Sequence, residues 1–525
     1  MLIALDDMPR AYAQTSATPA LPINLELVTL TETSAIITWF TGNPTQPDSF
    51  GRLAPVPADT QVLLGKVGAA PSEVFYDATP TPYHYVELHG LEPGATYVCA
   101  ARSGGIPAIP AVDAAGNPLG TSGVGALTAG PGLPIVFTTP QPPPGDHLFT
   151  IALCNDMHLG ETVAGLITTQ GGVGLPPGIS QVPGRPPYAE LMAAALSKET
   201  RERGADVLLV AGDVTSEAAQ VDVHTARSYL DAFGAYGSDY FVARGNHDRA
   251  HDTAGAAACH PSTLDPAYHD CFRDEFFAND KSWFAAEKFG LRMLGLDTYD
   301  TIGNGSFAGS MGGAQFDFVR SELARAPDQP TIVFGHHPVP LDATLYAVPP
   351  VVYGLDNQQA RELEQLYAAH PGVFLHHAGH THRNKRAIST TAPGVMFQEV
   401  AAVKEYPGGF HLMRVHTGGY ATNFYKFRDT LAQEWSERSR PEVFGLSPLY
   451  TFGNTNDRNS VVVRDLSGLQ SAAAARAAKS APQRVDTIPA TAATSEGLIA
   501  GAAAAAAASA ANWLRRKSAD LTSGE

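Results

Sequence analysis

"VLLVAGDVTS", Val207–Ser216, is a run of five apolar residues followed at once by a glycine and a carboxylate. An apolar run of that length, closed by a turn residue, reads as a strand that ends on a charged group. Similar runs recur along the chain: "LFTIALC" from Leu148, "YFVAR" from Tyr240, "TIVFG" from Thr331 and "VFLHHAG" from Val373. Between them lie segments of helical period, "YAELMAAALSKETRERG", "AQFDFVRSELARA" and "DNQQARELEQLYAAH". Strands alternating with helices predict a layered α/β domain. Farther on, "RAISTTAPGVMFQEVAAV" and "FHLMRVHTGGYATNFYKF" read as successive strands without helices, which predicts a second, more antiparallel sheet.

Each of the five runs ends on groups able to do chemistry. Asp156 and His158 follow the first, Asp213 the second, Asn246 and His247 the third, His336 and His337 the fourth, His380 and His382 the fifth. In α/β sheets, ligands bind beyond the carboxyl ends of the strands, where all five groups fall. A single histidine is more often a satisfied polar residue than a ligand, but five clusters in series point to one assembled site.

This order, Asp-x-His, Gly-Asp, Gly-Asn-His-Asp, His, Gly-His-x-His, resembles the calcineurin-like metallophosphoesterase superfamily over roughly residues 146 to 425. The resemblance implies two central β-sheets flanked by helices, in α/β/β/α layers, and hydrolysis of phosphate monoesters or diesters. It also implies two divalent metal ions, Mn, Fe or Zn, which about 3.5 to 4 Å apart clamp an in-line phosphoryl displacement. By the same resemblance one ion takes Asp156, His158, Asp213 and His382, and the other Asp213, Asn246, His336 and His380, with Asp213 bridging. The resemblance further implies that a metal-bound hydroxide attacks phosphorus, with His247 as general acid to the leaving oxygen. Asp248 is expected to orient the His247 ring, to cap a helix, or both. Arg244, Arg249 and Arg383 are candidates for substrate phosphate, because a guanidinium fork matches its oxygens. His251 and Asp252 either line the substrate pocket or decorate the loop. His337 is expected beside a ligand rather than as one, and His376 and His377 in packing or behind the ligands.

Ahead of this region, residues 22–139 are rich in Thr, Val, Pro and Gly, with short alternating runs such as "SAIITWFT" and "HYVELHGL". They predict an all-β sandwich, with Trp39 in an early strand and Tyr97 after a Pro-Gly turn, as in a tyrosine corner. The arrangement resembles the fibronectin type III-like module that precedes the catalytic domain of purple acid phosphatases. The metal pattern departs from that family. Ser216 stands where those enzymes carry a tyrosine ligand, and His158 stands where they lack a histidine, so no intense tyrosinate colour is expected.

The remaining organisation follows from composition. Residues 1–21 are expected to be a disordered N-terminus whose "AYA" looks like the end of a truncated export signal. The stretch "PQPPPGD" at 140–146 is expected as a linker, 147–430 as the metallophosphoesterase domain, and 431–525 as an Ala-rich, largely disordered extension. Within that tail, 497–514 is uncharged and followed by a basic cluster, which makes cell-wall or surface association conceivable. Cys259 and Cys271 bracket a short loop suited to a disulfide in an oxidising compartment, whereas Cys99 and Cys154 sit in apolar runs as buried thiols. A secreted or extracytoplasmic protein is expected, with a cytoplasmic one as the alternative. The net charge of −17 argues against a nucleic-acid groove. An alternative function, a catalytically retired binding module using the sandwich, is opposed by the intact set of candidate ligands.

Overall fold

The computed structural model describes residues 20–480 apart from 46, 112–133, 166–177, 251–254, 264–265, 278–280, 301–307, 340–353 and 443–446. The expected disordered N-terminus, most of the long loop after His158, the pair His251 and Asp252, and the Ala-rich tail from 481 therefore lie outside the described residues.

In the α/β domain, side chains alternate along each central strand between two cores. On His147–Cys154, Phe149, Ile151 and Leu153 face one core while Ala152 and Cys154 face another. Val207–Ala211 does the same, with Val207 and Leu209 on one side and Leu208 and Val210 on the other. The shared core also receives Met293 of Leu291–Gly295, Ile332 and Phe334 of Thr331–Phe334, and Leu375 of Val373–Ala378. These belong to a second sheet, so the two sheets pack face to face through it. Each fully buried Leu or Phe there contributes about 1.5–3 kcal/mol relative to exposure.

Helices close the outer faces. Tyr188–Glu202 and Gln220–Asp231 cover the first sheet with Met192, Leu196, Val223 and Leu230. Gly313–Arg325 and Asn357–Ala369 cover the second with Phe316, Val319, Leu363 and Tyr367. The α/β/β/α layering matches the expectation.

The expected second, antiparallel sheet is corrected. The first sheet runs Tyr240–Ala243, Val207–Ala211, His147–Cys154, Gly409–His416, Gly419–Lys426, Asn459–Val463, so the late hairpin joins the first strand instead of forming its own layer. The second sheet runs Phe284–Lys288, Leu291–Gly295, Thr331–Phe334, Val373–Ala378, Met396–Glu399, Lys385–Ile388. Both sheets are mixed: parallel pairs occupy the part that carries the candidate site, and the remaining pairs are antiparallel.

The expected boundary at 431 is likewise corrected. Thr430–Ser439 is a helix with Trp435 buried, and Asn459–Val463 is a strand of the first sheet, introduced by a capping box between Asn454 and Asp457. The chain up to Ala473 forms one compact unit. Among the described residues no helix is long and apolar enough to cross a membrane.

The N-terminal strand-rich region packs two sheets over a core that includes Leu27, Ile37, Trp39, Val62, Val86 and Phe137. Tyr97 Oη accepts a hydrogen bond from the Glu92 backbone N–H at 2.9 Å, closing the corner read from the sequence. Trp39 stacks on His84 and donates to Ser103 Oγ. This region is joined to the α/β domain by buried charge. Glu26 accepts from Arg440 at 2.6 Å, Tyr406 Oη at 2.6 Å and Lys426 at 3.1 Å. Burial alone would raise the Glu26 carboxyl, but Arg440 and Lys426, helped by the Tyr406 hydroxyl, hold it down at about 2. A lowered carboxyl contributes stability above its ordinary value near 4.5, and the contribution fades as pH falls toward 2. Removing one partner of such a buried group costs about 3–5 kcal/mol, because the other charges stay behind uncompensated.

Candidate metal centre

The parallel strands of both sheets deliver their C-terminal loops to one place. Asp213 Oδ2 lies 3.0 Å from His336 Nε2, across the gap between the two sheets, and 3.5 Å from His158 Nε2. Asp156 Oδ1 lies 3.1 Å from His382 Nε2 and 3.7 Å from His158 Nε2. Donor atoms of Asp156, His158 and His382 fall within 4.8 Å of one another, as do those of Asp213, His336 and His380. Each group holds three of the four residues expected for one ion; Asp213 falls in the second group and not in the first. A third group, His158, Asp213 and His247, lies between them.

Five of these residues sit in the left-handed backbone region: Asp156 at φ 54°, His158 at 47°, Asp213 at 50°, His380 at 68° and His382 at 53°. Non-glycine residues held there cost of order 1 kcal/mol or more each, and persist only where surrounding bonds over-determine them. Here the loops are laced to one another. The N–H groups of Met157 and His158 both donate to the Asp213 carbonyl, that of Asp156 to the Gly212 carbonyl, and that of Gly379 to the His336 carbonyl. Two glycines make the lacing possible. A Cβ on Gly212 would stand 2.8 Å from the Gly245 nitrogen, and one on Gly245 would stand 2.1 Å from Asp213 Oδ1. The glycines of the Gly-Asp and Gly-Asn-His motifs are thus needed for close approach of two loops.

The donor set fits divalent metal ions. Asn246 is 1 % exposed, yet neither its Oδ1 nor its Nδ2 has a hydrogen-bond partner. A buried amide left unsatisfied at both ends costs about 1–3 kcal/mol per group, a penalty that coordination of the oxygen would relieve. Two carboxylates, imidazoles and an amide oxygen are a mixed N/O set suited to Mn, Fe or Zn.

The carboxylates also set the protonation of the rings around them. Burial opposes charge on His336, but Asp213 and Asp156 push it up to about 8, and Asp156 with Glu405 pushes His382 up to about 9 in the same way. Burial pulls His380 down to about 3, with His336 adding to the effect. Burial alone would raise Asp213, yet His336 and His247 hold it well below the usual carboxylate range. Ions entering this site displace protons, so their affinity rises with pH.

His247 and Asp248 divide differently from the expectation. The His247 backbone N–H donates to Asp213 Oδ1 at 2.8 Å, and its ring Nδ1 donates to the Ser216 carbonyl at 2.7 Å. A carbonyl cannot donate, so Nδ1 carries a proton and Nε2 is the nitrogen outside that bond. Burial pulls the ring down to about 4, opposed by Asp213 and reinforced by His158. Asp248 does not orient the ring. Its carboxylate accepts from the backbone N–H groups of Val214, Thr215 and Gly245 and from Thr215 Oγ1, tying the second and third strand-end loops together. The physical reason is geometric: the turn folds Asp248 back onto those donors, and the Ser216 carbonyl takes the ring instead.

The candidate phosphate-binding arginines are largely committed elsewhere. Arg383 is buried with its fork on Glu399, at 2.7 and 2.8 Å, and is corrected to a structural ion pair. Arg244 is buried between Asp270 and Asp297. Arg249 pairs with Glu217 at 2.7 Å and reaches the Asn246 carbonyl at 3.3 Å. His337 bonds Thr298 Oγ1 and its ring centroid lies 4.5 Å from that of His380, while His376 and His377 bond Tyr367 and the Cys154 carbonyl. Cys259 and Cys271 form a disulfide, and Cys99 and Cys154 are buried thiols.

The sequence reading missed a set of groups behind the ligands. Glu161 lies 2.9 Å from His158 Nδ1, Glu405 lies 2.6 Å from His382 Nδ1, and Lys404 contacts both carboxylates. Only Glu161, three residues after His158, had a local signal.

Residues 149–384 match the family described as calcineurin-like phosphoesterase. No curated protein matches the chain in sequence. Among solved structures the chain is similar to a purple acid phosphatase from yellow lupin seeds, at 13 % identity and a TM-score of 0.37, covering 79 % of this chain and 73 % of that one. It is also similar to a dimetal phosphatase from Danio rerio, at 14 % identity and a TM-score of 0.38, covering 53 % and 96 %. A third similar structure, PhoD, is 10 % identical with a TM-score of 0.34, covering 78 % and 87 %.

Proposed function

We propose that this chain, of which residues 149–384 match the calcineurin-like phosphoesterase family, hydrolyses phosphate mono- or diesters at a centre of two divalent ions. The observation that carries the proposal is the pair of adjoining clusters, Asp156/His158/His382 and Asp213/His336/His380, with the unsatisfied Asn246 amide beside them in the same set of loops. Bound divalent ions supply Lewis acidity and lower the pKa of water toward neutrality. Asp213, reaching residues of both clusters, holds the two halves together. His247, its Nδ1–H held by the Ser216 carbonyl, can hand the leaving oxygen a proton from Nε2 only as the imidazolium, the form that the Asp213 charge favours against burial. The Cys259–Cys271 disulfide supports an oxidising, extracytoplasmic compartment.

The test is turnover of p-nitrophenyl phosphate and of bis(p-nitrophenyl) phosphate by the Mn2+-reconstituted protein. Hydrolysis of at least one is expected. No turnover of either, with metal shown to be bound, contradicts the proposal and favours a binding module.

A further inference from the structure

Behind the Asp156/His158/His382 cluster lies a closed ring of charge that the reaction chemistry does not itself require. His158 Nδ1 is 2.9 Å from Glu161 Oε2. Glu161 accepts from Lys404 Nζ at 2.7 Å on both oxygens and from Tyr188 Oη at 2.6 Å. Lys404 Nζ is also 3.4 Å from Glu405 Oε2, and Glu405 Oε1 is 2.6 Å from His382 Nδ1. The chain of contacts thus runs His158, Glu161, Lys404, Glu405, His382, and both imidazoles turn Nε2 toward the same Asp156 oxygen.

The ring is sealed and anchored at Lys404. Lys404 and Glu405 are 5 % and 4 % exposed. The Lys404 backbone N–H donates to the Asp156 carbonyl, and its own carbonyl accepts from Trp435 Nε1 at 2.6 Å. Trp435 stacks on Tyr188 with ring centroids 4.0 Å apart. The helix Thr430–Ser439, which composition alone assigned to a loose tail, is therefore what closes this face. The other cluster is backed differently: His336 Nδ1 donates to the neutral Ala211 carbonyl at 2.8 Å.

We infer that Lys404 is a positioning residue: by pinning Glu161 and Glu405 it orients His158 and His382 and supports the one metal position that they form with Asp156. This rests on the two-metal reading above. A carboxylate behind a metal-binding imidazole fixes its orientation and raises its basicity, and loss of such a partner costs about 10–100-fold in metal affinity. Without Lys404 two buried carboxylates lose their common counter-charge and release the rings. The position formed by Asp213, His336 and His380 has no such backing from Lys404.

The test is a calorimetric titration of the full chain, stripped by chelator, with Mn2+ alone. The wild type is expected to bind two ions. In Lys404→Met and in Glu405→Gln, one ion should bind about 10–100-fold more weakly while the other keeps its affinity. At limiting Mn2+, crystals of Glu405→Gln should then show anomalous density only beside Asp213, His336 and His380. Should Lys404→Met fail to fold, Glu405→Gln decides, since it keeps an acceptor for His382 and removes only charge. Two ions bound with unchanged affinity in the variants, or both weakened alike, overturns the inference while leaving the two-metal reading intact. Fewer than two ions in the wild type overturns both.

Discussion

Asp213→Asn is expected to abolish metal-dependent ester hydrolysis, with kcat/KM falling by about 10³-fold or more, a loss of roughly 4 kcal/mol of transition-state stabilisation. Asp213 reaches both halves of the site: Oδ2 stands 3.0 Å from His336 and 3.5 Å from His158. Its Oδ1 receives the His247 backbone N–H. The side chain is buried, so solvent cannot supply the lost charge. An amide removes the formal charge between the clusters and replaces one oxygen with a donor that repels cations. Steady-state kinetics with Mn2+, alongside metal content, checks this. Activity within about tenfold of the wild type would mean that Asp213 does not join the two positions.

His247→Ala is expected to behave in the opposite way with respect to metal, keeping both ions while kcat falls by about 10²–10⁴-fold. The ring is held by the Ser216 carbonyl through Nδ1, and its backbone, not its side chain, bonds Asp213. Truncation therefore leaves the clusters in place. If the ring serves the leaving oxygen, the loss grows as the leaving group becomes more basic and shrinks for p-nitrophenol, which departs without help. Metal analysis and a leaving-group series separate this from ligation, because the ring also lies within 4.8 Å of His158 and Asp213 donor atoms. Equal loss of metal and activity makes His247 a ligand.

The candidate ligands were legible because the fold writes them at fixed places: each follows an apolar run, and a strand that ends on Asp-x-His or Gly-Asp announces its own loop. The layer order came with the family resemblance that those strand-end motifs carry. What the sequence could not show is contact between distant residues. Lys404 and Glu405 lie some 240 residues from Glu161 and carry no motif, so their ring around His158 and His382 exists only once the first sheet and the helix Thr430–Ser439 are assembled. Asp248 misled because adjacency in sequence suggested contact with His247, whereas the turn carries its carboxylate to Val214, Thr215 and Gly245. Arg383 misled because burial was invisible: beside a ligand it read as a phosphate fork, yet Glu399 occupies it. Glu26 stood in an ordinary strand, Leu21–Leu30, with nothing local to mark it as the charge around which Arg440, Lys426 and Tyr406 gather.

Under the proposed function, hydrolysis needs both metal positions. The most direct measurement follows turnover of bis(p-nitrophenyl) phosphate and p-nitrophenyl phosphate as Mn2+ is added stepwise to the chelator-stripped full chain, with bound metal counted at each step. No turnover is expected in the stripped protein, with a rate that saturates only as two ions per chain are bound. Turnover without metal, or a full rate with a single ion bound, would contradict it.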